Sequence, residues 1–207
     1  DRLLAHAVRE TARISRLITN LLHMAHLDQG RPMLRSRTDL VGLCRGEVER
    51  AAALAPHLEV DLKVGQAPPP VWLDGDEVSE AIANLLDNAR RYAKTRVTLS
   101  VERRGTNVIV RVTDDGPGVP PGEQERIFAR FATLDPSGGS GLGLPIAREV
   151  ARAHDGDLTY EDGTFVLTLP LTPWSWPGAT HADAQRAAEE AEAAGSGGRQ
   201  PAAGDRL

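Results

Sequence analysis

The sequence predicts an α+β sandwich in which one β-sheet is covered by helices. Segments in which apolar and polar residues alternate occur in pairs with short turns between them, as in RVTLSVER and NVIVRVTD, which RGT separates. Segments with helical periodicity, such as LVGLCRGEVERAAALA, stand apart from these pairs. Helices and strands therefore segregate into layers, which is typical of an α+β fold.

Residues 1–28 predict one helix with a long apolar stripe. Its apolar residues recur at alternating spacings of four and three, the a and d positions of a bundle: Ala7, Thr11, Ile14, Ile18, Leu21 and Ala25. Leu4, Leu17 and Leu22 widen the stripe, which favours a four-helix bundle over a two-stranded coiled coil. The other helices would come from a second copy, from an upstream segment or from both. The alternative is that this helix lies on its own globular domain.

The remaining elements follow a hinge, because Gly30 and Pro32 break the helical pattern. The first helix after the hinge is predicted at 40–55, with Thr38 or Asp39 as its N-cap. The next elements are predicted to be a strand at 58–64, a short strand after APPP, a helix capped by Asp74 or Asp76 that runs through Tyr92, the pair of strands already quoted, a short amphipathic piece EQERIFARF, a helix LPIAREVARAHD and a hairpin of DLTYED with TFVLTLPL.

Charge and cysteine content narrow the classes of function. The net charge of -5, with both signs interspersed and no run of basic residues, argues against a nucleic-acid-binding surface. Cys44 is the single cysteine, which excludes an internal disulfide and favours a reducing compartment. No apolar run approaches the ~20 residues that a membrane-spanning helix needs.

The stretch NLLDNARRY at 84–92 places amide side chains on a helix that has to bury leucines. Asparagine is a mediocre helix former, so two asparagines four residues apart need a reason. Asn84 and Asn88 project from one face of the helix, and Glu80 lies one turn earlier on the same stripe. We therefore predict that this stripe faces something polar.

The stretch VTDDGPGVP presents a carboxylate at the end of a strand. Asp114 is followed by Gly116 and Gly118, which let the backbone turn sharply and approach a flat ligand. A carboxylate at this position can accept a hydrogen bond from an exocyclic amine, which adenine offers. Taken alone, the stretch is equally compatible with an ordinary turn, since Asp, Gly and Pro are common turn formers.

The stretch GGSGLGLP at 138–145 is a glycine-rich loop that runs directly into a helix. Gly139, Gly141 and Gly143 leave the loop without side chains, and Pro145 suits the first helical position. Free backbone amides and the positive end of the helix dipole favour phosphate there. The loop lacks the Lys-Ser/Thr ending of a P-loop and the strand that precedes a Rossmann turn, so by itself it is weak evidence.

Together and in this order, NLLDNARRY, DDGPG, RIFARF and GGSGLGLPIA resemble the N, G1, F and G2 boxes of the ATP-binding domain shared by sensor histidine kinases, gyrase, related chaperones and MutL. Sensor histidine kinases match best, because RETARISRLITNLLHMAHLDQG resembles the second helix of their dimerisation domain. The resemblance covers residues 1–171. It implies a two-layer α/β sandwich with a mixed, mainly antiparallel sheet, preceded by a long dimerisation helix.

The resemblance also implies roles for the matching residues. Asn88 is expected to hold Mg²⁺ through its amide oxygen, with water and the ATP phosphates as further ligands, and Asn84 is expected to support the metal and the phosphates. Asp114 is expected to accept a hydrogen bond from the adenine amine. The remaining expected contacts are Arg91 near the phosphates, Tyr92 against the nucleotide, Gly116 and Gly118 beside the base, Phe128, Arg130 and Phe131 in a hinged lid, and Gly141, Leu142, Gly143 and Leu144 over the phosphates.

Three features depart from the family pattern. Only Pro136 and Ser137 separate RFATLD from GGSGLGL, so the lid is shorter than usual and lacks the basic residues often found there. We therefore assign no contact with the γ-phosphate to the lid. Asp155 stands where a glycine is common in the family, and Pro145 stands where an alanine is frequent.

The sequence contains no phosphoacceptor motif of the family, which resembles S-H-E-x-R-T-P. HAVRET at 6–11 is the nearest match, but it lacks the acidic neighbour and the proline, so His6 is not assigned as the acceptor. His23 and His26 lie one turn apart and could contact a metal. With no further ligand nearby, we predict instead that they lie on a solvated helix face. No role is assigned to the other histidines, His57, His154 and His181.

The sequence thus predicts the ATP-binding catalytic part of a sensor histidine kinase. It would bind Mg²⁺ and ATP and transfer the γ-phosphoryl to a histidine outside this chain, from which an aspartate of a response regulator would take it. One alternative is a serine kinase of the anti-sigma type, against which the long heptad helix argues. The other is a non-catalytic nucleotide-binding scaffold that dimerises through residues 1–28, against which the intact Asn88 and Asp114 argue.

The predicted organisation has four parts: a dimerisation helix at 1–29, a linker at 30–38, the ATP-binding domain at 39–171 and a disordered tail at 172–207. In the tail, Trp174 and Trp176 are expected to cover a sheet edge. The expected partners are a second copy, through the N-terminal helix of the intact protein, and a response regulator, with no nucleic acid. The expected location is the cytoplasmic portion of a membrane-bound sensor.

Overall fold

The computed structural model describes residue 11 and residues 17–25, 33–134 and 139–171. Residue 11 and residues 17–25, which we name α1, are helical. The elements that follow are β1 (Ser36–Thr38), α2 (Leu40–Leu54), β2 (Glu59–Val64), β3 (Val71–Leu73), α3 (Gly75–Tyr92), β4 (Arg96–Arg104), β5 (Asn107–Asp114), a 3-10 helix (Arg126–Phe128), α4 (Gly143–Ala153), β6 (Asp157–Glu161) and β7 (Thr164–Pro170). The tail at 172–207, with Trp174 and Trp176, and the histidines His6, His26 and His181 lie outside the described residues.

The main sheet has five strands in the order β2-β4-β5-β7-β6. β2 pairs with β4 in parallel, with Val60 opposite Val97. The other three pairings are antiparallel, as in the register that places Leu99 of β4 opposite Val112 of β5. The predicted sandwich with a mixed, mainly antiparallel sheet is therefore confirmed.

One face of this sheet forms the core with the helices. Alternate residues of the three central strands are at most 2% exposed, and these are Val97, Leu99, Val101, Val108, Val110, Val112, Phe165, Leu167 and Leu169. Most of the residues between them, such as Thr98 and Ser100, are only partly buried, since successive side chains of a strand point to opposite faces. This alternation in the sequence is what places the helices on a single side of the sheet.

Aspartate caps fix the starts of the first two domain helices. Asp39 Oδ1 accepts a hydrogen bond from the Gly42 amide at 3.0 Å, and Asp74 Oδ1 accepts one from the Glu77 amide at 3.3 Å. Each cap satisfies an amide that has no partner within its own helix. Of the predicted alternatives, Asp39 rather than Thr38 and Asp74 rather than Asp76 are the N-caps.

Part of the predicted linker belongs to the fold. β1 pairs antiparallel with β3 in a separate two-stranded sheet. Just before it, the Leu34 amide donates to Asp74 Oδ2 at 2.8 Å and Arg35 Nη2 donates to Ala153 O at 2.6 Å. From Leu34 onward the chain is thus attached to the start of α3 and to the end of α4.

One local prediction agrees with the structure and one differs from it. The predicted amphipathic piece EQERIFARF contains the 3-10 helix Arg126–Phe128 and buries Ile127 and Phe128. α4 begins at Gly143, so Pro145 is its third residue. After α4, Asp155 adopts a φ of 61°, a conformation that glycine adopts without strain and that explains why glycine suits this position.

Helix α1 has one face on the domain and one face in solvent. Met24 is 4% exposed and packs into the main core, whereas Ile18, Leu21 and Leu22 are 53%, 47% and 57% exposed. The exposed residues belong to the apolar stripe for which the sequence predicts bundle partners. Within the described residues, no helix is both long enough and apolar enough to span a bilayer.

Candidate functional site

A cavity of about 1090 Å³ lies where α3, the end of β5, the 3-10 helix and the start of α4 meet. It brings together residues that are far apart in the sequence. The predicted site residues that line it are Asn84, Asn88, Arg91, Tyr92, Asp114, Gly118, Gly141, Gly143 and Leu144. The three sequence stretches that suggested a ligand therefore share one cavity.

The asparagines reach this cavity because α3 has two distinct faces. Its buried stripe consists of Val78, Ala81, Ile82, Leu85, Leu86 and Ala89, each at most 1% exposed. Asn84 and Asn88 lie outside that stripe and line the cavity together with Asp87. The side-chain nitrogen of Asn84 is buried and has no hydrogen-bond partner among the described residues. A buried amide without a partner costs free energy, so this nitrogen is suited to a ligand that would satisfy it.

The two adjacent aspartates at the end of β5 have different environments. Asp115 accepts hydrogen bonds from the amides of Lys94, Thr95 and Arg96 and from the Thr95 hydroxyl, which lies 2.6 Å from its Oδ2. These bonds, above all those from Thr95, hold the pKa of the Asp115 carboxyl well below its usual range. Asp115 is therefore the residue that stabilises the turn.

Asp114 is the aspartate that faces the cavity. Partial burial raises the pKa of its carboxyl, and the Gly116 amide, which donates to its Oδ1 at 2.9 Å, partly offsets that effect. In the described part of the chain this is its one hydrogen bond. The carboxylate keeps accepting capacity for a ligand, because it can take several hydrogen bonds.

Gly116, which was expected beside the base, does not line the cavity. Its close contacts with Asp114 and Tyr92 explain why this position is a glycine. A Cβ on Gly116 would lie 2.5 Å from both Asp114 Oδ1 and Tyr92 O. The absence of a side chain therefore lets the end of β5 approach the end of α3. Gly116 positions Asp114 and does not itself contact the ligand space.

The glycine-rich loop and the start of α4 form another part of the cavity wall. α4 begins after Leu142, a residue whose side chain cannot accept a hydrogen bond, in contrast to the aspartate caps of α2 and α3. The first-turn amides of α4 are thus open to an anion. A Cβ on Gly143 would lie 3.1 Å from Asn84 Oδ1, and one on Gly139 would lie 2.5 Å from Arg91 Nη1. The glycines let this loop lie directly against the polar face of α3.

None of the residues predicted to form the lid, which are Phe128, Arg130 and Phe131, lines the cavity. Phe128 is 8% exposed, with its ring edge-on to Phe165 at 6.4 Å and the Arg148 guanidinium 4.5 Å from its centroid. The Phe131 amide donates to Gly141 O at 2.9 Å, while the Phe131 side chain is 60% exposed. Arg130 is exposed and Leu142 is fully buried. The loop and the lid segment are therefore joined through backbone contacts.

Several residues that line the cavity were not predicted. The Tyr160 hydroxyl accepts a hydrogen bond from the Val119 amide at 2.9 Å and borders the cavity from β6. Ser140, whose Oγ accepts from the Leu142 amide at 3.3 Å, borders it from the glycine-rich loop. Leu17 and Asn20 border it from α1. Nothing in the sequence pattern of α1 indicated this, because its heptad spacing pointed to other helices as its partners.

The predicted solvated position of His23 is wrong. His23 is 9% exposed, with Nε2 2.7 Å from Glu77 Oε2 and Nδ1 2.7 Å from Glu80 Oε1. The error arises because the two carboxylates come from α3, more than fifty residues away in the chain. Glu80 consequently pairs with His23, although the sequence placed it on the same polar stripe as Asn84 and Asn88.

His154 also has a structural role that its sequence context did not indicate. It is 3% exposed, and its Nε2 accepts a hydrogen bond from the Asp74 amide at 3.0 Å. Its Nδ1 lies 2.8 Å from Val150 O. Burial lowers the pKa of His154, which matches a neutral ring that donates through Nδ1 and accepts through Nε2. His154 thus links the end of α4 to the start of α3.

The cavity offers oxygen ligands of the kind that Mg²⁺ prefers. No group of three or more His, Cys, Asp or Glu residues that could hold a metal occurs in the parts of the chain that the structure describes. Asn84, Asp87 and Asn88 of α3 line the cavity, and their side chains carry amide and carboxylate oxygens. Such a sparse set fits Mg²⁺, which commonly keeps several waters and shares its coordination with substrate phosphates.

Comparison with known proteins identifies the ATP-binding domain that the sequence motifs resemble. Residues 73–173 match the family model of histidine kinase-, DNA gyrase B-, and HSP90-like ATPases. The chain is 37% identical to the probable sensor histidine kinase TcrY of Mycobacterium tuberculosis (strain ATCC 25618 / H37Rv), over 82% of this chain and 39% of the relative. It is 33% identical to the adaptive-response sensory kinase SasA of Thermosynechococcus vestitus, over 83% of this chain and 49% of the relative. The chain thus spans less than half the length of these two curated relatives.

Solved structures show the same fold. Full-length ShkA in complex with AMPPNP superposes with a TM-score of 0.73 and 27% identity, over 85% of this chain and 40% of that one. The mycobacterial sensor histidine kinase MprB superposes with a TM-score of 0.59 and 27% identity, over 68% of this chain and 99% of that one.

Proposed function

We propose that this chain, which carries a histidine kinase-, DNA gyrase B-, and HSP90-like ATPase domain at residues 73–173, is the ATP-binding catalytic part of a sensor histidine kinase. In this proposal the γ-phosphoryl of ATP passes to a histidine outside this chain and from there to an aspartate of a response regulator. The observation that supports it most directly is the shared cavity of Asn84, Asn88, Asp114 and the start of α4.

Asp114 is proposed to bind the adenine. Its partly buried carboxylate borders the cavity and makes a single hydrogen bond within the described residues. It can therefore accept a hydrogen bond from the exocyclic amine of the base. Tyr92 and Gly118 border the same region and are proposed to pack against the nucleotide.

The end of the cavity formed by the glycine-rich loop and the start of α4 is proposed to bind the phosphates. Uncapped amides at the start of α4 and the Arg91 guanidinium beside Gly139 both favour negative charge there. Asn88 would hold Mg²⁺, with Asn84 in support, and the bound metal would neutralise charge on the phosphates. The side-chain nitrogen of Asn84, which has no hydrogen-bond partner among the described residues, is proposed to donate to a phosphate oxygen. Gly141, Gly143 and Leu144 border the same end.

The chemistry left to this chain is then to hold ATP in position and to reduce repulsion around the transferred group. Phosphoryl transfer depends mainly on such positioning and charge stabilisation. The acceptor imidazole would come from a helix that carries the family's acceptor motif, which the printed sequence lacks. We further propose that the chain is the cytoplasmic portion of a membrane-bound sensor and dimerises through residues 1–29.

Transfer of labelled phosphate in trans tests this function. We would mix this chain with the longer protein of which we propose it is a part, in which Asn88 has been changed to alanine, and supply γ-labelled ATP with Mg²⁺. The expected result is an acid-labile phosphate on the longer protein alone, because proximity to a histidine is needed for transfer.

The matched control is this chain with Asn88→Ala, which should abolish the labelling. Acid-stable label would instead support the serine kinase alternative. Binding of ATP without any labelling would support the non-catalytic scaffold. Acid-labile label on this chain alone, lost on His6→Gln, would contradict the assignment of the acceptor to another segment.

A further inference from the structure

Helix α1 is attached to α3 by a charged contact that the proposed kinase function does not require. The ring of His23 lies between Glu77 and Glu80, which are one turn apart on α3, with each ring nitrogen 2.7 Å from a carboxylate oxygen. The Nε2 contact with Glu77 has the geometry of a hydrogen bond, whereas the buried Nδ1 meets Glu80 as a close charge contact without that geometry. Only the imidazolium form of the ring carries the positive charge that attracts both carboxylates. We refer to His23, Glu77 and Glu80 as the His23 latch.

An apolar contact accompanies the latch. The neighbouring Met24 is 4% exposed and packs into the main core. Ile18 and Leu22, on the other side of the helix, are 53% and 57% exposed. One face of α1 is therefore fitted to this domain, while another face of the same helix is left open.

The attached face of α1 continues into the nucleotide cavity. Leu17 and Asn20 precede His23 by six and three residues, so all three lie along one side of the helix. Both Leu17 and Asn20 border the cavity. The Asn20 amide nitrogen lies 3.4 Å from Ser140 Oγ, a long hydrogen bond to the glycine-rich loop. Asn20 thus has donor capacity at the end of the cavity where we place the phosphates.

We propose that α1 is a wall of the nucleotide site, that the His23 latch holds it there, and that Asn20 contributes to binding at the phosphate end. This inference rests on the proposed function, since that function identifies the glycine-rich loop as the phosphate-binding loop. It assigns a nucleotide contact to a helix outside the matched family domain, which begins at residue 73.

The arrangement couples two events. Release of the latch would remove one wall of the site and weaken nucleotide binding. By thermodynamic reciprocity, bound nucleotide would stabilise the attached position of α1 by the same factor. The position of this helix would therefore depend on whether the site is filled.

Calorimetry with ATP, ADP and adenosine tests whether α1 is a wall of the nucleotide site. Asn20→Ala should weaken ATP and ADP by roughly three- to tenfold, the worth of one hydrogen bond, and leave adenosine unchanged because it has no phosphate. His23→Gln and the double variant Glu77→Gln/Glu80→Gln should weaken ATP and ADP in the same direction. His57→Gln, a change at an exposed histidine, is the matched control for His23.

Hydrogen exchange of the amides at 17–25 tests the latch without reference to nucleotide. Exchange there should be faster in His23→Gln and in the double variant, and slower in the unaltered chain with ADP. Asp76→Asn removes another carboxylate from the first turn of α3 but leaves the latch intact. It should change the exchange at 17–25 neither in the free chain nor in the chain with ADP. Unchanged exchange in β5 and α4 would show that each variant is folded.

The outcomes separate the two proposals. If the unaltered chain binds no ATP, the proposed function fails, and exchange still decides whether the latch exists. If exchange at 17–25 is unchanged in both latch variants, the latch is overturned. If exchange rises but ATP and ADP bind with unchanged affinity, the claim that α1 is a wall of the site is overturned.

Discussion

The individual residues of the site are distinguished by their environments more than by their types. Asp114 and Asp115 are neighbours, yet burial raises the pKa of the first, and hydrogen bonds from Thr95 and its neighbours lower the pKa of the second. One carboxylate is thereby committed to the turn and the other remains available to a ligand. The same contrast applies to His23, whose ring lies between carboxylates, and to His154, whose ring is buried against backbone groups.

Changing Asp114 to asparagine should weaken the binding of ADP and of adenosine alike. The amide can present a donor where the adenine amine needs an acceptor, and losing such a charged hydrogen bond costs about 1.5–3 kcal/mol. That corresponds to roughly a ten- to hundredfold loss of affinity, measurable by calorimetry. Asp115→Asn is the control for stability. Because Asp115 stabilises the turn, this change should lower the temperature of thermal unfolding. Unchanged ADP affinity in folded Asp114→Asn protein would exclude the adenine assignment.

At the scale of elements, the site depends on how closely the glycine-rich loop approaches its neighbours. Gly141 has a φ of 66°, and a Cβ there would lie 2.6 Å from the backbone carbonyl carbon of Phe131. Gly105, in the turn between β4 and β5, has a φ of 62° with nothing within 4 Å of such a Cβ. The two positions therefore share one conformational requirement and differ in their packing.

Gly141→Ala should consequently destabilise the loop and weaken ATP binding more than Gly105→Ala does. Both variants incur the cost of a left-handed residue, about 1–2 kcal/mol, but only Gly141→Ala also displaces the lid segment. The midpoint temperature of thermal unfolding should fall in both variants, and the ATP affinity measured by calorimetry should fall only in Gly141→Ala. Equal ATP affinity in the two variants would show that the contact between loop and lid does not shape the site.

At the scale of the whole molecule, the sheet order determines which segments meet. α3, the end of β5 and the start of α4 converge on one cavity although their site residues span positions 84 to 144. The position of α1 also belongs to this scale, because α1 is held by contacts with distant segments. Its attachment combines the buried Met24 with the charged His23 latch.

The attachment of α1 should weaken at high pH. The contact with Glu80, reinforced by Glu77 and opposed by burial, raises the pKa of His23 from 6.5 to about 9. Because the attached state has the higher pKa, its added stability is complete below about 6.5 and is lost as the pH rises through about 9. Spin labels on cysteines placed at the exposed Leu22 and Leu54 should therefore report a longer or broader distance at pH 10 than at pH 7.

Cys44 is fully buried, so labelling is restricted to the introduced cysteines. In His23→Gln the distance distribution should be broad at both pH values. A distribution in the unaltered sequence that stays the same from pH 7 to pH 10 would contradict the role assigned to the charged ring.

What the sequence determined by itself is the part of the molecule encoded by local patterns. Alternation in β4, β5 and β7 and the helical stripe of α3 set the strands, the helix and their buried faces, because each face has to be removed from water. The aspartate caps Asp39 and Asp74 and the order of the four ligand-associated stretches are equally local. These patterns were sufficient to predict the fold and the residues that came together at Asn84, Asn88 and Asp114.

Only the tertiary structure decided the contacts between distant segments. It assigned Asp114 to the cavity and Asp115 to the turn, gave Gly116 a packing role, and placed His23 between Glu77 and Glu80. The heptad spacing of α1 shows that the helix has an apolar face but does not specify what covers it. Partners more than fifty residues away leave no periodic trace in the chain, since such contacts depend on where the sheet brings each element and not on the residues beside it.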